Sequence, residues 1–498
     1  MKADSINLSS FSLPADVLAR RDSLKGMFID GKWRQGSGAV HSHAYAANNS
    51  LVSSLRLASP EDVRSAIAAA QAAQPSWRKS DPSVRAACLN RLADLIVRNG
   101  EDLARLQSLD TGMPVSGARQ LIPMMDSWIR YYAGFCDKIE GSSISQLPEG
   151  RYFMTREPYG VVAILLTWNM PTISVCMKAM AALAAGNTVV IKSPEMAPFG
   201  MMALAELIDQ AGFPPGVVNV LPAGPDGGEA LVSDPRIGKI SFTGGAGTAG
   251  KIQTASAGNL VPLLLELGGK SACMIFEDAN LDAAVPFATF FSVAASGQGC
   301  ILPTRMLVHE RVYEEVVGRV RAIVETMQLG DPFDEATQYG PVINAHARER
   351  IHTIIDRACS VNAGRMLVGG ARAAGPFEAG SFVHHTVFAD VDPDSSLFRD
   401  EIFGPVLAIS KFSDEADAIR QANGTRFGLF SYLFTRDIGR ALRIADAMEA
   451  GSIAINGFVG LPPKAPFGGV GLSGYGKEGA REGLYEFLRT KTIFISEA

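Results

Sequence analysis

The feature that most restricts the fold of this sequence is a regular alternation of short apolar runs and helical stretches between residues 157 and 267. Apolar runs joined to helical stretches by glycine-rich connections are typical of parallel strands that helices cover on both faces. The predicted strands are 161–166, 188–191, 217–221, 237–243 and 262–267. We therefore predict a doubly wound parallel sheet, in which ligands bind beyond the carboxyl ends of the strands.

A second α/β alternation follows from about residue 270 to about residue 470, with a predicted strand at 451–456. Two segments, 138–156 and 484–498, fit neither region and look extended with polar edges. Exposed strands of this kind pair readily with another chain, so we expect the protein to form oligomers.

Two local signals predict shorter elements near the start of the chain. The pair Asp30-Gly31 between apolar runs predicts a β-hairpin over residues 28–33. Ser59-Pro60 with Asp62 predicts the start of a helix, because serine caps a helix and proline suits its first position.

Composition excludes several classes of function. The chain has 498 residues, 47% of them hydrophobic and 19% charged, as in a globular protein with a large core. Its net charge is −5 without a basic block, which argues against a nucleic-acid partner. No apolar run approaches 18 residues, which argues against a membrane span. The first residues lack the apolar core of a secretory signal, so the expected location is the cytoplasm.

Six cysteines are scattered along the sequence without a Cys-x-x-Cys pair, so no metal site and no dense disulfide framework is expected. They are Cys88, Cys136, Cys176, Cys273, Cys300 and Cys359. Cys300 directly follows a loop of small residues, and a thiol at a partly open turn can be reactive. For any one cysteine, the alternative is a packed structural thiol.

Two further motifs are candidates for a binding or catalytic site. Gly245-Ala-Gly247-Thr-Ala-Gly250 follows a predicted strand and begins a predicted helix, as the dinucleotide fingerprint requires, although a glycine-rich helix start is the simpler alternative. Glu266 stands at the end of a predicted buried strand, before two glycines. A carboxylate among leucines needs partners or a raised pKa.

Seven motifs occur in one order along the chain, and together they resemble the NAD(P)-dependent aldehyde dehydrogenase superfamily. They are Thr-Trp-Asn-Met-Pro at 167–171, Val-Ile-Lys-Ser-Pro-Glu at 190–195, Phe-Thr-Gly-Gly at 242–245, Glu-Leu-Gly-Gly-Lys at 266–270, Gly-Gln-Gly-Cys at 297–300, Glu-Ile-Phe-Gly-Pro at 401–405 and Pro-Phe-Gly-Gly at 466–469. The resemblance runs from the hairpin at 28–33 to residues 489–492. The 34-residue spacing between Glu266 and Cys300 also fits this family.

The resemblance implies an α/β fold with two doubly wound Rossmann-like domains, one for the cofactor and one for catalysis, plus a small β oligomerisation arm. We expect residues 1–137 and 157–267 to form the NAD-binding domain and 268–470 the catalytic domain. Residues 138–156 and 484–498 would form the arm. By analogy with the family, the assembly would be a homodimer or a homotetramer.

The resemblance also assigns catalytic roles. Cys300 would attack the aldehyde carbon, and the side-chain amide of Asn169 with the backbone N–H of Cys300 would stabilise the resulting oxyanion. After hydride transfer, Glu266 would activate the water that hydrolyses the thioester, a role that a raised pKa suits. Lys178, on the helix after Asn169, stands where family members often have a lysine that supports the active site.

For the cofactor, the resemblance places Lys192 and Glu195 at the hydroxyls of the adenosine ribose and Gly245 at the helix start near the pyrophosphate. A carboxylate at the ribose repels a 2′-phosphate, so NAD is expected over NADP. Glu401 would bind the nicotinamide ribose, and Phe403 would pack near the nicotinamide. The full set of expected cofactor residues is Thr167, Trp168, Lys192, Glu195, Gly245, Glu401 and Phe403.

The substrate is expected to be a hydrophobic or aromatic aldehyde. The expected lining residues are apolar: Met170, Ile173, Met177 and Phe458, with Val459 and Leu461 beside them. A charged semialdehyde would instead require an arginine clamp. For each of these side chains, plain core packing is the alternative.

The sequence departs from the family pattern at a few positions, and two other functions remain open. Thr167 replaces a common proline, Gly245 a common serine, Ala249 a common glycine and Gly471 a common lysine. The changes near Gly245 leave the details of pyrophosphate binding open. The alternatives are a CoA-acylating dehydrogenase, which has no need of Glu266 as a base, and a non-catalytic protein on the same fold.

Overall fold

The computed structural model describes residues 11–147 and 150–496 of the chain, which fold into an α/β structure. The α-helices are α1 (Ala15–Asp22), α2 (Pro60–Lys79), α3 (Pro82–Arg98), α4 (Gly100–Thr111), α5 (Val115–Ala133), α6 (Pro171–Ala184), α7 (Phe199–Gln210), α8 (Pro225–Val232), α9 (Ala246–Ser256), α10 (Leu281–Ser292), α11 (Tyr313–Thr326), α12 (Ala345–Ser360), α13 (Ser396–Arg399), α14 (Glu415–Ala422), α15 (Ile438–Ala447) and α16 (Ala480–Tyr485).

The strands form two large sheets and three small ones within the described residues. They are β1 (Met27–Ile29), β2 (Lys32–Arg34), β3 (Val40–Ala44), β4 (Leu51–Arg56), β5 (Ser142–Leu147), β6 (Gly150–Pro158), β7 (Val161–Leu165), β8 (Thr188–Pro194), β9 (Val218–Ala223), β10 (Ile237–Thr243), β11 (Leu263–Glu266), β12 (Ala272–Ile275), β13 (Arg305–His309), β14 (Arg365–Val368), β15 (Thr386–Ala389), β16 (Val406–Phe412), β17 (Phe427–Gly428), β18 (Phe430–Phe434), β19 (Ser452–Ile455), β20 (Val470–Gly471), β21 (Gly474–Tyr475) and β22 (Leu488–Ser496).

The larger sheet has the strand order β2-β1-β9-β8-β7-β10-β11-β21 among the described residues. Its centre, β9-β8-β7-β10-β11, is parallel throughout. The chain enters this centre at β7, moves outward to β9, and then crosses to β10 on the other side of β7. The strand order therefore reverses between β7 and β10, which is where doubly wound sheets bind ligands. The predicted doubly wound fold is confirmed.

Burial explains why these strands can be predicted from the sequence. Every residue of β7 is buried, and so is all of β8 apart from Lys192. Helices cover both faces of a parallel sheet, so its strands are continuous apolar runs rather than alternating ones.

The second large sheet is also mainly parallel, with the order β14-β15-β16-β13-β12-β18-β19 among the described residues. Only β14 and β15 pair antiparallel there. This sheet carries the segments that precede β13 and β16, which face the carboxyl ends of the larger sheet across a groove.

The two segments that were expected to be extended meet in a small antiparallel sheet, β22-β6-β5. Strand β22 pairs with β6 along its whole length, from Leu488 opposite Pro158 to Ser496 opposite Gly150. The extended conformation begins later than expected, because residues 484 and 485 are the end of α16. Residues 148, 149, 497 and 498 lie outside the described residues.

Both local predictions near the start of the chain are confirmed. Asp30 and Gly31 join β1 to β2 with φ of 56° and 69°, the left-handed backbone of a tight hairpin turn. Ser59 caps α2, and its side chain and that of Asp62 exchange hydrogen bonds with each other's backbone N–H groups.

Within residues 11–147 and 150–496, no helix has the length and hydropathy needed to cross a bilayer.

Candidate active site

The carboxyl ends of β7, β8, β10 and β11 open into a groove with a volume of about 500 Å³, closed on its other side by loops of the second sheet. Nine of the residues that the sequence singled out line this groove: Thr167, Trp168, Asn169, Lys192, Glu195, Gly245, Cys300, Glu401 and Phe403. Glu266 ends β11 immediately before Leu267, which also lines the groove. The groove therefore brings the candidate catalytic and cofactor residues together.

Gly245 stands at the N-terminus of α9 and lines the groove. A Cβ atom added there would meet no other atom within 4 Å, so this glycine leaves free space at a helix N-terminus. Gly250 is exposed and equally free of neighbours, whereas Ala249 is the buried residue. In the dinucleotide fingerprint the third glycine lets the helix pack against the strand. Gly250 therefore has no such packing role. Of the three glycines that match the fingerprint, Gly245 is the one that lines the groove.

The far end of the groove holds an ion pair. Lys192 is near the end of β8, and its Nζ donates to Glu195 Oε2 at 3.2 Å. Both side chains are partly exposed, at 14% and 26%. The pair lies at the carboxyl end of β8, the strand next to β7, where a nucleoside ribose could meet both a donor and an acceptor.

The backbone before Cys300 has an uncommon conformation. Ala295, Ser296 and Gly297 all have positive φ, of 47°, 60° and 74°. A side chain at Gly297 would collide with the backbone of Gly404, so the loop passes close to the segment that follows β15. This compact turn presents Cys300 to the groove.

The Cys300 thiol is protonated in this environment at neutral pH. Burial raises its pKa to about 12, and the charges of Glu266 and Glu401 add to the shift. A thiol with this pKa needs a proton acceptor or a nearby positive charge before it can react as the thiolate.

Asn169 holds a fixed orientation beside the cysteine loop. It is 8% exposed, and its Nδ2 donates to the backbone carbonyl of Gln298 at 2.8 Å. Gln107 Nε2 in turn donates to the backbone carbonyl of Asn169 at 3.2 Å. A primary amide has two N–H groups, and the described residues accept one of them, so the other can donate to a ligand.

Glu266 is 4% exposed, and neither of its carboxylate oxygens has a hydrogen-bond partner among the described residues. Burial raises its pKa well above the usual range, and the charge of Glu478 raises it further, against the opposing effects of Lys178 and Lys477. A carboxyl with a raised pKa and free oxygens can accept a proton from a nearby water.

Two residues of this cluster come from distant parts of the chain. The Nζ of Lys178 is fully buried in α6 and donates to Glu478 Oε1 at 2.5 Å and to Ser241 Oγ at 3.3 Å. Lys178 and Glu478 thus form a buried ion pair, and both of its charges act on Glu266. Sequence reasoning missed Glu478, which lies in the segment between β21 and α16.

Glu401 and Phe403 line the groove on the side of the second sheet. Glu401 Oε1 accepts from the Gly269 N–H at 2.9 Å, and burial raises the pKa of this carboxyl. The rings of Phe403 and Trp168 meet edge to face at 5.3 Å. Arg350 of α12 also lines the groove and donates to the Phe403 carbonyl at 3.4 Å. Sequence reasoning missed this cation, because nothing near it in the chain marks it as part of a site.

Behind Gly269, Lys270 is buried, and its Nζ has no hydrogen-bond partner among the described residues. Burial and the nearby Arg305 lower its pKa to about 7. The negative charge of Glu401 opposes this shift.

The expected substrate residues divide into two groups. Ile173 and Met177 are one turn apart on α6 and are nearly fully buried, whereas Met170 precedes α6 and is partly buried. Phe458 is partly buried and belongs to an aromatic cluster with three other rings, Phe291, Phe430 and Tyr432.

This aromatic cluster reaches the nucleophile. Phe458 stacks on Phe291 at 5.4 Å and meets Phe430 edge to face at 5.4 Å. Tyr432 donates its hydroxyl to the carbonyl of Ile301, the residue after Cys300, at 2.8 Å. Sequence reasoning missed Phe291, whose ring appeared there only as part of an apolar run.

The other cysteines lack this setting. Cys88, Cys136, Cys176 and Cys273 are buried, and Cys359 is exposed on α12. Burial raises the pKa of both Cys176 and Cys273, and neither lines the groove.

Comparison with known proteins places the chain in a class. The sequence model described as "Aldehyde dehydrogenase family" matches residues 33–493. The chain therefore belongs to the aldehyde dehydrogenase family, whose reaction class is the oxidation of aldehydes.

Individual relatives with similar sequence identity to this chain are named for different aldehydes. A betaine aldehyde dehydrogenase of Rhizobium leguminosarum bv. trifolii is 36% identical over 472 residues, which cover 94% of this chain and 96% of the relative. A hydroxyisobutyraldehyde dehydrogenase of Mycolicibacterium austroafricanum is 35% identical over 487 residues, covering 97% and 96%. The crystal structure of a betaine aldehyde dehydrogenase from Staphylococcus aureus in complex with NAD+ is similar with a TM-score of 0.94, at 31% identity and 97% coverage of each chain.

Proposed function

We propose that this protein oxidises an aldehyde to the carboxylic acid with NAD, through covalent intermediates on Cys300. The observation that carries the proposal is the position of three groups at one end of the groove. The thiol of Cys300 and the oriented amide of Asn169 line it. The buried carboxyl of Glu266, with free oxygens, stands just before the groove residue Leu267, and its charge acts on that thiol.

The first step is attack of the Cys300 sulfur on the aldehyde carbon. Because burial holds the pKa of this thiol at about 12, its proton must pass to a water molecule as the C–S bond forms. The carbonyl oxygen becomes negative, and Asn169 donates to it with the N–H that Gln298 leaves free. An oriented donor of this kind is worth about 3–4 kcal/mol of barrier. A bound NAD would accept the hydride, which leaves a thioester on Cys300.

Hydrolysis of the thioester requires a base that acts on water. Glu266 is suited to this because its raised pKa makes its carboxylate a stronger base than an exposed glutamate. Its presence favours water over coenzyme A as the acyl acceptor. It also argues against a non-catalytic protein on this fold, which would have no use for an unpaired buried carboxyl.

The residues of the groove fit NAD. Gly245 leaves space at the N-terminus of α9, where helix N–H groups favour a diphosphate. Lys192 and Glu195 offer a donor and an acceptor to a ribose, and the charge of Glu195 disfavours a 2′-phosphate. Arg350 adds a positive charge near Glu401 and Phe403, where the nicotinamide half would lie.

For the substrate we propose a neutral hydrophobic or aromatic aldehyde. The rings of Phe291, Phe430 and Phe458 form an apolar surface next to the residue that follows Cys300. Aromatic rings pair well with an aromatic substrate. The same rings could also bind a quaternary ammonium group through cation–π contacts, so betaine aldehyde is the second candidate. The relatives do not decide between them, because their names differ at nearly equal identity.

We also propose a division of the chain into an NAD-binding domain (1–137 and 157–267), a catalytic domain (268–470) and an oligomerisation arm (138–156 and 484–498). Two or four copies would assemble through the arm, whose strand β22 is an exposed sheet edge. All six cysteines are free thiols, which supports a reducing compartment such as the cytoplasm.

A panel of aldehydes tested with NAD and with NADP examines the proposal. The panel should include benzaldehyde, hexanal, succinic semialdehyde and betaine aldehyde, each without coenzyme A. We expect NADH and free acid in equal amounts, with the largest kcat/KM for benzaldehyde or hexanal. Reduction of NAD only when coenzyme A is added, or no reduction with any aldehyde, would contradict the proposal.

A further inference from the structure

Gln298 belongs to the motif that contains the nucleophile, yet the proposed chemistry gives it no role. Its side chain is 3% exposed and uses both ends. Oε1 accepts from the Ile343 N–H at 2.9 Å, and Nε2 donates to the Ala295 carbonyl at 3.1 Å. Its backbone carbonyl accepts from Asn169 Nδ2 at 2.8 Å. One residue thus links the nucleophile loop to the segment before α12 and to the oxyanion donor.

The loop needs such a support. Ala295 and Ser296 have the left-handed backbone, which residues with a Cβ rarely adopt. A strained segment persists only where surrounding contacts fix it. Two backbone hydrogen bonds close the turn, from the Gly297 N–H to the Val293 carbonyl at 3.2 Å and from the Gln298 N–H to the Ala295 carbonyl at 3.1 Å. The side-chain contacts that hold it are those of Gln298 and the hydrogen bond from Ser296 Oγ to the Gly340 carbonyl at 2.8 Å.

We propose that Gln298 is a positioning residue that fixes Cys300 and the amide of Asn169 relative to each other. This role rests on the proposed function. The side chain holds the turn in its left-handed form, and the turn carries the carbonyl that orients Asn169. Losing the two side-chain hydrogen bonds would let the sulfur and the N–H donor move independently, and a misplacement of about 1 Å can cost about 100-fold in rate.

A purely structural role for Gln298 would lower stability without coupling to Asn169. The two roles are separated by a double-mutant cycle on the rate of the first NADH burst, using Gln298→Met, Asn169→Ala and the double variant. Methionine has a similar length and shape to glutamine but makes neither hydrogen bond.

We expect Gln298→Met to slow the burst about 10- to 100-fold, with the Kd for NAD changed less than about twofold. In the Asn169→Ala background the same substitution should cost at least about fivefold less, because the donor that it misplaces is already gone. Full additivity, or a burst within twofold of the wild type, would overturn the positioning role.

Ser292→Ala is the matched control, since it removes buried hydrogen bonds at the end of α10, before the left-handed turn, and does not touch Asn169. Its effect should be additive with that of Asn169→Ala. If Gln298→Met does not fold, Gln298→Glu replaces it. A protonated glutamic acid keeps an acceptor and a donor, so we expect a burst at low pH that is lost as pH rises. A burst that does not change with pH relative to the wild type would again overturn the role.

The two proposals fail differently. A wild-type protein that oxidises no aldehyde of the panel contradicts the proposed function. An active wild type with additive Gln298 and Asn169 effects contradicts the positioning role alone.

Discussion

The two ends of the groove each hold a carboxylate at the end of a parallel strand, and their surroundings differ. Glu195 follows β8, is partly exposed, and pairs with Lys192 three residues earlier. Glu266 ends β11, is buried without a hydrogen-bond partner among the described residues, and has Glu478 as its main charged neighbour. One carboxylate is paired and solvated, as a binding group should be, and the other is desolvated, as a base should be.

This difference shows what determines the chemical role of a carboxylate in this fold. The strand end supplies the same position to both residues, so position alone does not decide the role. The role of Glu195 depends on a neighbour three residues away. The role of Glu266 depends on Glu478 and Lys178, which reach it only after the sheets have packed.

The largest expected effect is a complete loss of catalysis at one end of the groove with cofactor binding kept at the other end. Cys300→Ala removes the nucleophile, so aldehyde oxidation should fall below detection while NAD still binds at the far end. NADH absorbance measures the first quantity and fluorescence titration with NAD the second. Cys359→Ala is the control, because this exposed thiol lies outside the groove and its loss should leave the activity unchanged. Turnover by Cys300→Ala at a tenth of the wild-type rate would show that another group is the nucleophile.

Glu266→Gln tests whether Glu266 acts only in the hydrolysis step. Glutamine keeps the shape and removes the base, so steady turnover should fall by about 10²–10⁴-fold. The first NADH burst should persist, because attack and hydride transfer precede hydrolysis. Stopped-flow absorbance separates the two phases. Loss of the burst together with turnover would mean that Glu266 acts before the thioester forms.

The influence of Glu478 on Glu266 predicts a change in pH dependence. The base must be ionised to act, so turnover should fall as pH drops through the raised pKa of Glu266. Glu478→Gln removes the negative charge that raises this pKa and also frees the positive charge of Lys178. Both changes lower the pKa, so the acidic limb of kcat should move to lower pH. An unchanged limb, or one moved to higher pH, would show that Glu478 does not control the base.

The parts of this molecule that sequence could predict are those that depend on neighbours in the chain. The strands of the larger sheet are readable because they are buried on both faces, and Asp30-Gly31 because a tight turn needs its left-handed backbone. The motif order indicated Cys300 and Glu266 together with their family.

The rest depends on distant partners. Nothing near Arg350 in the chain marks it as part of the groove, and nothing near Glu478 marks it as a neighbour of Glu266, since both arrive through tertiary packing. The left-handed turn at Ala295 also could not be predicted from the sequence, because alanine has no preference for that conformation and tertiary contacts impose it. Gly250 is the reverse case, a motif match whose residue faces open space.

The smallest expected effect concerns Glu195, at the solvent-exposed end of the groove. Glu195→Gln removes the charge that disfavours a 2′-phosphate, so kcat/KM with NADP should rise about tenfold relative to NAD, or about 1.4 kcal/mol. The effect is modest because the pair with Lys192 is partly exposed and screened by solvent. For the same reason, added salt should narrow the preference of the wild type for NAD and leave that of the variant nearly unchanged. A preference in the wild type that is insensitive to salt would mean that shape, and not the charge of Glu195, selects the cofactor.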